Sequence, residues 1–217
     1  MNELPLSGFR DNALPSEREG RGTAIAGMRI FLTVVTMLFL LLLIAFLARS
    51  QGGDWRSLSD PTAPLSRPWL LWINSLLLGL GCLALQWARV AGRHGQRGES
   101  LVAFWLGGLC TLGFIFGQLG AWWQFELWGY GVAANPASSF FYLLTGLHGL
   151  HLVGGLLVWG LTLRGFSRGR APARLQLRVE LCAIYWHYLL ALWLLLFLVL
   201  SSPPGVYSVI AALCGLG

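Results

Sequence analysis

Residues 28–47 read MRIFLTVVTMLFLLLLIAFL, twenty positions with a single charge, Arg29, next to the start. At 1.5 Å per residue such a helix crosses the ~30 Å hydrocarbon layer of a bilayer. The run is too long for the apolar part of a signal peptide and lacks a convincing cleavage site, so it reads as a retained span. Four further runs of similar length follow, at about 68–88, 101–123, 139–163 and 180–201. The fold class is therefore an all-α membrane protein, a bundle of five transmembrane helices. Composition agrees: 56% of the 217 residues are hydrophobic and 11% are charged, against about 25% charged in a soluble domain. A soluble reading would need a larger core than this length allows, and it is excluded.

The arginines set the expected orientation. All fifteen basic residues are Arg, and nearly all lie just outside the apolar runs. With alternating spans, one side carries Arg10, Arg18, Arg21, Arg29, Arg89, Arg93, Arg97, Arg164, Arg168, Arg170, Arg174 and Arg178. The other side carries only Arg49, Arg56 and Arg67. The positive-inside rule then puts the N-terminus in the cytoplasm and the C-terminus outside. The net charge of +6 is accounted for by that placement, so nucleic acid is not an expected partner. Trp69, Trp72, Trp122, Trp123 and Trp128 fall at the expected outer boundary, and Trp87, Trp105 and Trp159 toward the inner one. That is the distribution of interfacial aromatic belts.

The chain thus divides into a polar cytoplasmic tail (1–27), a five-helix membrane domain (28–201) and a short apolar C-terminal tail (202–217). The last stretch follows Pro203-Pro204 and is too short to cross a bilayer. Cys82, Cys110, Cys182 and Cys214 form no CxxC pair and no metal-ligand spacing, and read as buried, inert thiols. No internal repeat is visible, which argues against an inverted-repeat transporter.

Polar groups within the spans are few, and each is costly enough to carry information. They are Asn74, Gln86, Gln118, Tyr142, Thr145, His148, His151, Tyr185, His187 and Tyr188. Glu126 and Glu180 lie at span ends, where water and headgroups are expected to reach them. His148 and His151 share one face of the fourth helix, and His187 lies at a depth within ~8 Å of His151 at 1.5 Å per residue. Two imidazoles on neighbouring helices could hold a haem or bind a quinone. The alternative is neutral histidines bonded to Tyr, Thr, backbone carbonyls, lipid headgroups or another subunit. Without a carboxylate or cysteine partner, the residues favour the second reading. Gly113 and Gly117, and Gly146 and Gly149, supply small-residue faces for close helix packing. There is no phosphate loop, nucleophile–base pair or carboxylate pair, hence no catalytic, cofactor-binding or metal-ligating residue to assign.

The C-terminal half resembles a known family. The run Phe140-Phe141-Tyr142-Leu143-Leu144-Thr145-Gly146-Leu147-His148-Gly149-Leu150-His151-Leu152-Val153-Gly154-Gly155 is similar to the "FF..TG.HGLHV..G" signature of haem–copper oxidase subunit III. Tyr185-Trp186-His187-Tyr188 with Trp193 resembles that family's "YWHF…W" in its last helix, and Gln118 with Trp122 fits the segment before the His helix. Asn74 resembles the Asn of its "NT..L" stretch. Five spans match the short bacterial form. The resemblance implies a multi-pass accessory subunit of a bacterial inner membrane, without a redox centre of its own. Haem and copper would reside in the catalytic partner, and the partners would be subunit I, subunit II and phospholipid. Its role would be to stabilise subunit I and support proton uptake in aerobic electron transport. Gln118, Trp122, Thr145, His148, His151, Tyr185, Trp186, His187 and Trp193 would then be structural, lipid or subunit contacts.

Two departures stand out. Val35 occupies the position of the family's glutamate in "FL.SE.M.F", and Leu190 that of the aspartate in "WHF.D..W". A divergent branch of the same superfamily, the subunit-III-like protein accompanying nitric oxide reductase, is therefore a second expectation. A membrane cytochrome or quinone-binding protein using His151 and His187 is the alternative of another class.

Overall fold

A computed structural model of the chain describes residues 15–59, 65, 68–168, 172–203, 205–207 and 209. It contains five helices: α1 (Pro15–Arg49), α2 (Trp69–Arg93), α3 (Arg97–Leu127), α4 (Pro136–Ser167) and α5 (Pro172–Ser201). All five are long and apolar enough to cross a membrane. Their boundaries follow local chemistry. Asn135 caps α4, its side chain accepting from the backbone N–H of Ala137 (2.7 Å) and Ser138 (3.2 Å), and Pro136 stands where a missing N–H costs nothing. The tight α2–α3 turn passes through Gly95 at φ +76°, a left-handed conformation that a Cβ would oppose.

α1 starts earlier than the hydrophobic run alone indicated. Residues 15–27, assigned to the polar tail from sequence, continue its helix, because Pro15 is tolerated in a first turn and nothing between it and Met28 breaks the backbone pattern. Residues 1–14 lie outside the described residues, as does most of the C-terminal tail. Within that tail Tyr207 is buried, its hydroxyl donating to the Val199 carbonyl (3.0 Å). Cys214 also lies outside the described residues.

α2 and α3 pack along each other as a hairpin, and α5 is the common neighbour of α1, α2 and α4. Among the described residues α1 and α2 do not pack extensively along each other; both pack on α5. The ends of the bundle differ. The start of α1, the α2–α3 turn, the end of α4 and the start of α5 form an Arg-rich end. The opposite end gathers the α1–α2 and α3–α4 loops. There the Arg49 guanidinium bonds Asp54 (2.8 Å) and, through that bond, holds its carboxyl below the ordinary carboxylate range.

Lateral surfaces remain apolar and exposed, for example Val34 and Leu41 of α1, Leu83 of α2 and Phe116 of α3. Trp69, Trp72, Trp123 and Trp128 are exposed at one end and Trp87 and Trp105 toward the Arg-rich end. Trp159 departs from the expected belt. It is buried against Phe104 and its Nε1 donates to the Phe104 carbonyl (2.8 Å). Gly108 of α3 makes the space for it, since a Cβ there would overlap the Trp159 ring. Helix pattern alone cannot tell an interfacial indole from one drawn inward by a carbonyl of a neighbouring helix.

Candidate functional site

The polar residues singled out from sequence fall into three layers down the bundle. The first lies toward the end opposite the arginines and joins α2, α3 and α4. Asn74 Nδ2 donates to Gln118 Oε1 (3.4 Å), both side chains being buried. Gly117 admits that contact, because a Cβ on it would overlap the Asn74 carbonyl. Trp122 Nε1 donates to Thr145 Oγ1 (3.1 Å), and the Thr145 hydroxyl in turn donates to the Phe141 carbonyl (2.6 Å). The Tyr142 hydroxyl closes the layer on the Trp122 carbonyl (3.1 Å). Gly146 lies under the Trp122 ring at ordinary contact distance and Gly113 beside Leu77, whereas Gly149 has open space.

The middle layer centres on α5. Trp193 Nε1 donates to Ser75 Oγ of α2 (2.8 Å) and Trp186 Nε1 to Thr111 Oγ1 of α3 (2.7 Å). Both indoles are essentially fully buried. His148 is fully buried too, edge-on to Phe114 (5.9 Å between centroids) and tilted on Trp193 (5.4 Å). Neither of its ring nitrogens has a hydrogen-bond partner among the described residues. Its shell is aromatic, which suits a neutral ring used as a packing body. Tyr185 donates to the His151 carbonyl (2.9 Å), tying α5 to α4.

His151 and His187 do not face each other. In each, Nδ1 lies close to the carbonyl four residues back: Leu147 at 2.8 Å and Ala183 at 2.6 Å. A carbonyl only accepts, so each Nδ1 carries the proton and each Nε2 presents a lone pair. His151 turns toward Phe39 of α1 (5.6 Å between centroids). Tyr185 reaches His151, and His187 is two positions further along α5, about 200° around the helix. The two rings therefore point to opposite sides of α5, and similar depth does not bring them together.

The two positions where acids were expected are filled by packing. Val35 is buried in the core and Leu190 packs against it. The α1–α5 tie is instead a hydroxyl pair, Thr36 Oγ1 to Tyr188 Oη at 2.9 Å, one residue from Val35.

The third layer escaped the sequence reading. Glu180 does not sit in water; it is 5% exposed at the Arg-rich end of α5. Its carboxylate accepts from Arg21 of α1 (2.6 Å) and from Arg89 and Arg93 of α2 (2.8 and 2.7 Å). One carboxylate of α5 thus gathers three guanidinium groups from two other helices, α1 and α2. Part of the signal was present: Glu180 lies two residues after Arg178, on the arginine-rich side. Only its partners' position in space could not be read.

Between α1, α4 and α5 lies a groove of about 370 Å³. Phe31, Leu150, Val158 and Leu181 line it, with His151 within it and Arg178 among its lining residues. Among the described residues, no three His, Cys, Asp or Glu side chains gather as a metal ion would need.

The fold and its layered internal ties define a five-helix membrane bundle. Comparison with known proteins gives the family: the profile of Cytochrome c oxidase subunit III matches residues 18–202. The cytochrome c oxidase subunit 3 of Thermostichus vulcanus is 27% identical over 84% of this chain and 94% of its own length. That of Synechocystis is 31% identical over 79% of this chain and 72% of its own. The cytochrome bo(3) ubiquinol oxidase subunit 3 of Pseudomonas aeruginosa is 30% identical over 61% and 63%. The chain belongs to the cytochrome c oxidase subunit III family. It is an accessory subunit of a haem–copper oxidase, a family without redox cofactors of its own, and works in complex with other oxidase subunits. The nitric oxide reductase and membrane cytochrome readings are not favoured.

Proposed function

We propose that the chain docks beside subunits I and II of the oxidase in a bacterial inner membrane, stabilises subunit I and supports proton uptake there. The N-terminus lies in the cytoplasm and the C-terminus outside, following the arginine asymmetry. The observation that carries this reading is the division of labour among the polar groups. Gln118, Trp122, Thr145, Tyr185, Trp186 and Trp193 spend their hydrogen bonds inside the bundle, while His151 keeps Nε2 at the surface of a groove. Such a chain offers rigid surfaces rather than chemistry. A phospholipid fits the α1–α4–α5 groove: its acyl chain lies along Phe31, Leu150 and Val158, and its phosphate meets Arg178. Haem and copper stay with the catalytic subunit. The electron donor is cytochrome c, in keeping with the names of most of the relatives compared.

The test is purification of the tagged chain in mild detergent with mass spectrometry of what accompanies it. Subunit I is expected in equal amount, and its absence would overturn the reading. His151→Ala should lower that ratio without moving the haem spectrum, since this reading leaves the haem with the catalytic subunit; a shifted spectrum would contradict an accessory role.

A further inference from the structure

His187 occupies an unusual place. It lies fourteen residues from either end of the membrane-crossing stretch Ala173–Ser201, at the middle of the span. Its side chain is nevertheless exposed, on a stripe of α5 that continues through Ala191, Leu194 and Leu198. Glu180 is two turns earlier on the same face. There α1 and α2 converge, their arginines covering the carboxylate. Beyond Glu180 the two helices leave the stripe uncovered: Thr36–Tyr188 marks the α1 side and Trp72 against Phe197 (5.0 Å between centroids) the α2 side.

The ring's chemistry specifies what must cover it. Nδ1–H is committed to the Ala183 carbonyl, so Nε2 is a lone-pair acceptor; that bond is the one the His187 ring makes among the described residues. At mid-bilayer, acyl chains offer no donor and an uncovered imidazole is costly. A second copy of this chain, meeting through the same stripe, would bring acceptor against acceptor. Ala191, one turn away, lets a helix approach closely. We infer that this stripe receives a transmembrane helix from another subunit of the oxidase, one that presents a hydroxyl, amide N–H or indole N–H to His187 Nε2 at the bilayer centre. The inference deepens the proposed accessory role, and rests on it, by giving the docking face and the chemistry of its partner.

The test uses the intact oxidase complex with the tagged chain. His187→Leu should cut retention of the other subunits in mild detergent about tenfold, the equivalent of one good buried hydrogen bond. His187→Gln, whose Oε1 reaches a similar place as an acceptor, should restore most of it. Leu161→Phe, on the exposed face of α4, is the control and should change little. Thermal unfolding of the isolated variants should match that of the parent, since His187 bonds nothing outside its own helix. A Leu198→Cys chain carrying a photoreactive maleimide should cross-link to another oxidase subunit. Full retention by His187→Leu, equal loss in the Gln variant, or adducts only with lipid or a second copy would each overturn the docking face while leaving co-purification intact. Failure of the parent chain to co-purify would instead remove the accessory reading beneath it.

Discussion

Replacing Glu180 by Gln tests how three helices are held at the Arg-rich end. The carboxylate is 5% exposed and accepts three guanidinium hydrogen bonds of 2.6 to 2.8 Å. A hydrogen bond to a charged group is worth about 1.5–3 kcal/mol when well shielded. Only Arg89, with 25% of its side chain exposed, approaches that condition; Arg21 and Arg93 are about half exposed. For such exposed partners solvent screening reduces a pair to roughly 0–1 kcal/mol. The Arg89 bond therefore dominates, and the network as a whole contributes about 3 kcal/mol. Glutamine keeps the shape and one acceptor oxygen, but turns an N–H group toward a guanidinium and leaves three positive charges without a counter-ion. Unfolding in mixed detergent micelles should show Glu180→Gln losing about 2–3 kcal/mol, Arg89→Gln less, and Arg93→Gln or Arg21→Gln under about 1 kcal/mol. The loss should shrink in high salt, because the two outer pairs are screened. A loss below about 0.5 kcal/mol for Glu180→Gln would refute the assignment of this carboxylate as the tie between α1, α2 and α5. So would equal effects of Arg93→Gln and Glu180→Gln.

Gly108→Ala places a methyl group into the Trp159 ring and forces the indole off the Phe104 carbonyl, an overpacking cost of about 1–3 kcal/mol. Gly149→Ala, with open space around it, should stay within about 0.5 kcal/mol; thermal unfolding and tryptophan emission compare the two. The bond from Trp186 to Thr111 is assayed by a double-mutant cycle of Trp186→Phe and Thr111→Ala, with an expected coupling of about 0.5–1.5 kcal/mol; strictly additive losses would deny it.

Much of the molecule was legible in the chain itself. Five apolar runs fix five spanning helices, because no other open structure satisfies its backbone hydrogen bonds in hydrocarbon. Arginine placement separates the two ends, and the signatures around His148, His151 and His187 carry the family. What sequence left open is everything that depends on azimuth around a helix. Residue spacing gives depth, 1.5 Å at a time, and by depth alone His151 and His187 were a candidate pair. The packing of α5 between α1, α2 and α4 turns them to opposite sides. Glu180 and His187 share a face of α5, but arginines of α1 and α2 cover it at Glu180, and at mid-bilayer it stays open around His187. On α4, Trp159 turns away from the interface to a carbonyl of α3. A bilayer sets length and polarity along the normal. Which face of each helix meets which neighbour is decided by side-chain fit and hydrogen bonds between helices, and these exist only once the bundle has assembled.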